Sequence, residues 1–195
     1  MSGEPHTPAF ALPALKSLGE LSGASLTIVQ DSREKDPLKF KHFRVIRSAL
    51  VTGDYAIYRC ERAATIEKKS VSDLVGSISF ERERFEREMM RMKGYPFRRL
   101  VILGSKSEIE QHSYRSKMSP KAILHSLAAF EVRYDCPVCW FQSAEAAALQ
   151  VESWFWWISR QIVEDANDLL RGCRLSPGRT GTTGVNFHNA TKQNT

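Results

Sequence analysis

The chain contains 195 residues, of which 42% are hydrophobic, and its formal net charge is +6. That length fits one domain with a hydrophobic core, and the excess of basic residues favours polyanionic partners. No apolar run approaches the ~18 residues of a membrane span, no secretory leader is recognisable, and four cysteines are too few for a disulfide framework. These counts exclude a membrane protein, a small secreted scaffold and a fibrous repeat.

The two ends of the sequence lack the periodicity of packed elements. Residues 1–24 contain Pro5, Pro8 and Pro13, and we expect a flexible arm there. Residues 173–195 are rich in Gly, Thr and Asn, and we expect a disordered tail. These boundaries leave residues 25–172 as the folded domain.

Between the two ends, short apolar runs alternate with longer segments of helical periodicity. Six strands are predicted, at residues 26–29, 43–46, 55–58, 64–69, 100–103 and 138–141. Three helices are predicted, at residues 71–92, 120–132 and 144–170. Ser119 and Pro120 begin the second helix, and Gly172 ends the third. This order predicts an α/β domain with a central mixed β-sheet flanked by helices.

Charged residues gather at the end of the fourth predicted strand. Alternate side chains of a strand share a face, so Glu67 and Lys69 point the same way and Lys68 points oppositely. Asp54 begins the neighbouring strand of a predicted hairpin, so its carboxylate can approach that of Glu67. Asp73 follows one helical turn after the strand. We therefore expect two or three carboxylates and one lysine to converge at one end of the sheet.

The expected cluster has the composition of a hard-cation site, because carboxylate oxygens suit Mg²⁺ or Mn²⁺. A metal held by Asp54 and Glu67 could polarise a phosphodiester and lower the pKa of its bound water. Lys69 would then orient the attacking water or neutralise the charge that develops on the phosphoryl oxygens.

Each of these residues also has an ordinary structural interpretation. Asp54 follows a glycine and can be a turn residue. Ser70 and Asp73 match a capping box, so Asp73 can simply cap the helix. The charged run at 67–69 can be a solvated strand end. Taken together, however, the residues have the spacing D-x12-E-x-K, the general pattern of Mg²⁺-dependent nucleases with a restriction-endonuclease-like core.

The flanking segments add a more specific resemblance. The first strand ends in DSRE at 31–34, GDY follows at 53–55, and IEKKSVSDLVGSI spans 66–78. These segments resemble the D-x-R-E, G-D-Y and E-R-K-x-x-x-D motifs of the XPF/Mus-type structure-specific endonuclease domain. The resemblance implies a restriction-endonuclease-like core. It also implies an endonuclease that hydrolyses branched or otherwise structured DNA in repair or recombination, with Mg²⁺ or Mn²⁺.

The resemblance assigns catalytic roles to matching residues. The acidic positions of the motifs are matched by Asp31, Asp54, Glu67 and Asp73. Among these, Asp54 and Glu67 are the expected metal ligands. Lys69 matches the catalytic lysine of the family.

The resemblance also assigns residues that support the site or contact DNA. Arg33 matches the arginine of D-x-R-E and is expected to hold the acidic cluster or a phosphate. Arg82 matches the arginine of the following helix and is expected to touch DNA, with Arg84 as a competing match. Lys68 stands where the family usually has arginine, and lysine cannot make a bidentate fork.

Assembly and location are further expectations. Many family members carry a helix-hairpin-helix module after the nuclease domain, whereas only a short, mostly polar segment follows Gly172, so we expect a standalone form. That architecture suits a cytoplasmic, nucleoid-associated protein of a bacterium or phage. Trp156 lies off the apolar stripe of the last helix, where a homodimer would bury it. The alternative is a monomer whose last helix is covered by residues 1–24.

Two other functions stay open on the sequence. A catalytically inactive member of the family would bind or scaffold DNA, although such a member usually loses one of the residues Asp54, Glu67, Lys69 or Asp73. An α/β enzyme without nuclease activity would carry the acidic cluster by coincidence. Metal-dependent cleavage of branched against linear DNA separates these alternatives from an endonuclease.

Overall fold

The computed structural model describes residues 26–174. The expected arm at 1–24 lies outside the described residues, as does the expected tail at 173–195 apart from its first two residues, which belong to a helix. The strands are β1 (Thr27–Asp31), β2 (Arg44–Ser48), β3 (Tyr55–Ile57), β4 (Ala64–Ser70), β5 (Phe97–Leu103) and β6 (Val138–Phe141). The helices are α1 (Val71–Ser79), α2 (Arg82–Met92), α3 (Lys106–Glu110), α4 (Pro120–Tyr134) and α5 (Ala144–Arg174).

The strands form one mixed sheet in the order β2-β1-β3-β4-β5-β6. β1 pairs in parallel with β2 and antiparallel with β3, and β4 pairs antiparallel with β3. The pairs β4–β5 and β5–β6 are parallel. The α/β architecture with a central mixed sheet and flanking helices is therefore confirmed.

Helices cover both faces of the sheet. Ile102 of β5 packs with α1, α2 and α4 in one core, and Val101 packs against α5 in the other. On β4, Ile66 belongs to the α5 core. Because side chains alternate along a strand, Glu67 and Lys69 face the other layer, where α2 lies against them.

The helix predicted at 71–92 is in fact two helices, so that prediction is wrong at its centre. The Ser79 hydroxyl donates to the Val75 carbonyl at 2.6 Å, and the Phe80 N–H donates to the Gly76 carbonyl at 2.9 Å. Side-chain bonds of this kind compete with the regular helical ladder. The first helix therefore ends at Ser79, and α2 starts after a short turn.

Two further differences concern helices. α3 was not predicted, although its Ser105 and Glu108 form a capping box whose S-x-x-E spacing is visible in the sequence. α5 continues through Gly172 to Arg174, so the predicted stop at Gly172 is wrong; one glycine costs a helix only about 1 kcal/mol. Within the described residues, no helix combines the length and the apolar character needed to cross a membrane.

Gly53 fixes the start of β3 against β4. Its φ is 75°, in the left-handed region that favours glycine. A Cβ there would lie 2.2 Å from Thr65 Oγ1 and 2.8 Å from the Ile66 carbonyl oxygen. This close approach allows the Asp54 N–H to donate to the Ile66 carbonyl at 2.7 Å. Gly53 thereby sets the position of Asp54 relative to β4.

We expect Gly53→Ala to lower the free energy of unfolding by about 2–4 kcal/mol, because it combines a strained φ with a collision against backbone. Urea denaturation followed by circular dichroism measures the change. Gly76→Ala in α1 is the matched control. A Cβ at Gly76 meets nothing within 4 Å, and alanine favours a helix by about 0.5–1 kcal/mol. Equal stabilities of the two variants would contradict this explanation of the turn.

Candidate active site

Charged side chains from β1, β3, β4 and α2 line one cavity of about 360 Å³, which we call the active-site cavity. Its acidic lining residues are Asp31, Glu34, Asp54, Glu67 and Glu88. Its basic lining residues are Arg33, Arg84 and Arg91, all of them exposed. An adjoining groove of about 440 Å³, the α1 groove, shares Asp54 and Glu67 and extends along Lys69 and Asp73. The site thus has an acidic interior and a basic rim.

Glu67 and Lys69 form a buried ion pair in the wall of the site. Lys69 Nζ lies 2.8 Å from Glu67 Oε1, and the two side chains are only 10% and 7% exposed, respectively. On the α2 side, Glu88 Oε2 lies 4.0 Å from Nζ and the Phe85 ring centroid lies 5.1 Å from it. The common orientation of Glu67 and Lys69 confirms the prediction from strand alternation.

Asp54 is fixed beside this pair mainly through its backbone. Its N–H donates to the Ile66 carbonyl of β4, and its carbonyl accepts from the Asp31 N–H of β1, both at 2.7 Å. One carboxylate oxygen, Oδ2, accepts from the Lys68 N–H at 2.7 Å. Asp54 therefore links β1 and β4 and places a carboxylate at the cavity that both strands line.

Burial and mutual repulsion disfavour the charged forms of the two central carboxylates. Burial raises the pKa of Asp54 to about 7, with smaller upward contributions from the charges of Glu34 and Glu88. Burial, followed by the charge of Asp54, raises the pKa of Glu67 well above its usual range. Burial lowers the pKa of Lys69, but the neighbouring Glu67 and Glu88 outweigh it and the net shift is upward. With both carboxylates ionised, their negative charge would exceed the single positive charge of Lys69, so Asp54 and Glu67 keep their protons to a higher pH than usual.

Asp31 is held in a fork by Arg33. Arg33 Nε and Nη2 donate to the two carboxylate oxygens, each at 2.8 Å, and the backbone N–H groups of Arg33 and Leu50 donate at 2.7 Å. The side-chain hydrogen bonds from Arg33 lower the pKa of Asp31 to about 2, against the effect of burial. The two oxygens of Asp31 accept four hydrogen bonds. Asp31 therefore fixes the orientation of Arg33 and the position of the loop at Leu50.

Lys68 and Asp73 lie at the margin of the site. Lys68 Nζ turns away from the buried ion pair and lies 3.5 Å from Glu34 and 3.8 Å from Asp36. The Asp73 N–H donates to Ser70 Oγ at 3.1 Å, and the Ser70 hydroxyl donates back to the Asp73 carboxylate at 2.7 Å. The capping interpretation therefore accounts for the hydrogen bonds of Asp73, while the residue also lines the α1 groove.

The two candidate DNA-contacting arginines of α2 are placed differently. Arg82 Nη1 donates to Ser126 Oγ at 3.1 Å, and its guanidinium lies 4.8 Å from the Phe130 ring, so it packs towards α4. Arg84 pairs with Glu81 at 3.1 Å and lines both the active-site cavity and the α1 groove. Of the two, Arg84 is the one next to the acidic cluster.

Three charged residues of the cavity were not among the sequence-based candidates: Glu34, Glu88 and Arg91. Glu34 is the last residue of the DSRE segment. The spacing i, i+4 and i+7 places Arg84, Glu88 and Arg91 on one face of a helix. That spacing was visible in the charged run of α2, which resembles an ordinary solvated face until the fold brings it against β4.

The site fits a hard divalent cation. Among the described residues, no three His, Cys, Asp or Glu side chains are already gathered as a metal site. Mg²⁺ needs only one or two carboxylates, because waters and substrate phosphates supply its other ligands. Asp54 and Glu67 offer such a pair.

Comparison with known proteins agrees with this geometry. The ERCC4 domain matches residues 27–153. The structure of XPF from Aeropyrum pernix is similar, with 20% identity and a TM-score of 0.57 over 78% of this chain and 74% of that chain. XPF from Aeropyrum pernix in complex with DNA is also similar, with 20% identity and a TM-score of 0.54 over 72% of this chain and 66% of that chain. No curated protein matches.

The family match extends from β1 into α5 and covers well over half of the chain. It includes all three segments, DSRE, GDY and IEKKSVSD, on which the resemblance to XPF/Mus-type nuclease domains was based. That resemblance is confirmed: the chain belongs to the ERCC4 domain family and has the fold of XPF.

Proposed function

We propose that this ERCC4 domain is a metal-dependent endonuclease that hydrolyses phosphodiester bonds in branched or otherwise structured DNA. The family supports a nuclease, and a structure of similar fold is described in complex with DNA. The observation that carries the proposal is the buried Lys69–Glu67 pair beside Asp54. A buried ion pair adds little to stability, but a phosphoryl-transfer site needs both an anionic metal pocket and a cation near the phosphate.

Asp54 and Glu67 are the residues that hold Mg²⁺ or Mn²⁺ in this proposal. When bound, the ion polarises the scissile phosphate and lowers the pKa of its bound water. Asp54 is positioned in advance, because its backbone is hydrogen-bonded to both β1 and β4. Glu67 is positioned by β4 and by its bond to Lys69. Neither carboxylate needs a large rearrangement to take up a ligand.

Lys69 acts on the reacting phosphate as a donor. A lysine ammonium has three donors and no acceptor, so it orients the attacking water or binds a phosphoryl oxygen rather than removing a proton. Phe85 and Glu88 of α2 confine the ammonium from the side opposite β4. A group held in this way is ready to stabilise charge that develops in the transition state.

Basic side chains at the rim are suited to the DNA backbone. Arg84 and Arg91 lie two turns apart on α2 and both line the active-site cavity. Guanidinium groups bind phosphates without reading base sequence. We assign these arginines to the phosphates that flank the scissile bond. Arg33 adds a third positive group, and Asp31 contributes by holding Arg33 in place.

Removing either proposed metal ligand is expected to abolish cleavage. Asp54→Asn and Glu67→Gln keep the side-chain shape but remove the negative charge that holds the metal. Cleavage of labelled forked and Holliday-junction DNA in Mg²⁺ or Mn²⁺ should be lost, while binding measured by fluorescence anisotropy should be largely retained.

Glu164→Gln is the matched control, because Glu164 pairs with Arg160 on the surface of α5, and this variant should cleave as the wild type does. Full activity in Asp54→Asn or Glu67→Gln would exclude the metal assignment. DNA binding by the wild type without cleavage in either metal would favour the inactive scaffold instead.

Lys69 and Lys68 should differ in their effect on cleavage. Lys69→Ala removes one transition-state donor and is expected to lower the single-turnover rate on the order of 10²-fold or more. Lys68→Ala removes an ion pair with Glu34 and should have a much smaller effect on the rate. Thermal melting of both variants verifies that each is folded. Equal losses of rate would show that the orientation of the two lysines does not govern the chemistry.

A homodimer through α5 is part of the same proposal. Trp156, which the sequence places off the core stripe, is half-buried, and its neighbour Trp157 is 58% exposed. The two rings meet edge to face with centroids 4.7 Å apart, and the Arg160 guanidinium covers both of them. Exposed tryptophan and arginine are the residues that protein interfaces favour.

We expect light scattering at micromolar concentration to give a mass near twice that of the 22.1 kDa chain. Trp156→Glu should split the dimer, because it places a charge in the interface core. Val132→Glu, at an exposed position of α4, is the control and should leave the mass unchanged, because α4 and α5 pack on opposite faces of the sheet. A mass of one chain that branched DNA does not alter would exclude the dimer.

A further inference from the structure

Phe80 is exposed beside the site, and packing does not explain its position. Of the eight phenylalanines within the described residues, it is the one exposed member, with 82% of its surface accessible. It occupies the turn between α1 and α2. Along the described chain, the next exposed large hydrophobic side chain is Met90, more than two helical turns later. The four residues that follow Phe80 in the sequence are all charged.

The turn that carries Phe80 is well ordered. The backbone N–H groups of Phe80 and Glu81 both donate to the Gly76 carbonyl, at 2.9 and 3.1 Å. The Ser79 hydroxyl donates to the Val75 carbonyl at 2.6 Å. An aromatic ring on a backbone fixed in this way can bind a partner without the entropic cost of ordering a loop.

The neighbours of Phe80 belong to the active site. Ser77, three residues before Phe80, and Glu81, directly after it, line the α1 groove together with Glu67 and Lys69. Arg84, one turn further on, lines this groove and the active-site cavity. Residues before and after Phe80 therefore line the α1 groove, so the turn that carries the ring borders the site.

We propose that Phe80 stacks on an unpaired base of the DNA next to the scissile phosphate, and that this contact makes the domain prefer DNA with a single-stranded segment. The inference rests on the proposed nuclease function and names a determinant of its substrate class. Every base has an apolar face that an aromatic side chain can cover. In a fully paired duplex those faces are occupied by neighbouring bases. Arg84 can hold the adjacent phosphate while the ring covers the base.

A protein partner fits this surface less well. Stable protein interfaces bury on the order of 1,000 Å² or more around an apolar core. Around Phe80 the exposed side chains of α2's first turn include Glu81, Glu83 and Arg84, whose charges such a core would have to desolvate. A single nucleic-acid base, in contrast, needs only one aromatic side chain to stack on, and Phe80 supplies one.

The test measures DNA binding in EDTA, so that it does not depend on cleavage. Phe80→Leu keeps an apolar side chain without a ring, and Phe80→Tyr keeps the ring. Val132→Ala, which shortens an exposed apolar side chain on α4, is the control. Fluorescence anisotropy gives the Kd of each protein for a forked DNA and for a fully paired duplex of the same length. In addition, 5-iodouracil at unpaired positions near the fork allows photocrosslinking, and mass spectrometry identifies the linked residue.

For Phe80→Leu we expect the Kd for the fork to rise about 5-fold to 100-fold, the range for loss of one base–aromatic stack. The ratio of duplex to fork Kd should fall by the same factor, and Phe80→Tyr and Val132→Ala should bind as the wild type does. The crosslink should map to Phe80.

Three results would overturn the inference: Phe80→Leu binding the fork as tightly as wild type, Phe80→Tyr losing as much as Phe80→Leu, or a crosslink that maps elsewhere. A Phe80→Leu protein whose mass by light scattering differs from wild type would place the ring between copies of the chain instead. If the wild type binds neither DNA, the nuclease proposal itself fails. If the wild type and Phe80→Leu bind both DNAs with the same Kd values, only the stacking contact is wrong and the nuclease proposal stands.

Discussion

The candidate active site depends on keeping Lys69 charged inside a wall of carboxylates. Its ammonium is bonded to Glu67 at 2.8 Å, faces Glu88 at 4.0 Å and sits over the Phe85 ring. Burying such a pair costs several kcal/mol of desolvation per ion, which the attraction between them only partly returns. Three carboxylates around one ammonium leave negative charge in excess. A divalent cation would balance the excess negative charge, and a DNA phosphate would compete with Glu67 for the ammonium of Lys69. The arrangement therefore suits the binding of a metal and a phosphate better than it stabilises the fold.

The fold supplies this arrangement through two backbone constraints. Alternation along β4 directs Glu67 and Lys69 towards α2 and Ile66 towards the opposite core. The left-handed Gly53 brings the chain close enough to β4 for Asp54 to bond the Ile66 carbonyl. Both constraints belong to paired strands in the centre of the sheet, whose central position limits the movement of the site. On the basic rim, Asp31 holds Arg33 in place, whereas Arg84 and Arg91 are exposed side chains of α2 that can adjust to the path of a DNA strand.

Much of the site could be predicted because Asp54, Glu67 and Lys69 lie on two strands that are neighbours in the sequence. The opposite orientations of Lys68 and Lys69 follow from the period of a strand, and the hairpin places Asp54 near Glu67. The contribution of Glu88 could not be predicted in this way, because it depends on how α2 packs against β4. The break at Phe80 was missed because the apolar pattern continues across it. The Ser79 hydroxyl bonds the Val75 carbonyl, and the Glu81 N–H leaves the regular helical pattern by bonding the Gly76 carbonyl five residues back. The resemblance led us to expect that Arg33 holds the acidic cluster or a phosphate, but coordinates were needed to show that it forks onto Asp31.

The central claim is that Asp54 and Glu67 together bind one divalent metal ion beside Lys69. Anomalous diffraction from crystals soaked in Mn²⁺ tests it directly, because the signal locates the ion without reference to activity. The account predicts one strong peak in the active-site cavity, within about 2.0–2.3 Å of an oxygen of each carboxylate, with Lys69 beside it. A cavity without a peak in fully soaked crystals, or a peak bound by other residues, would contradict the account.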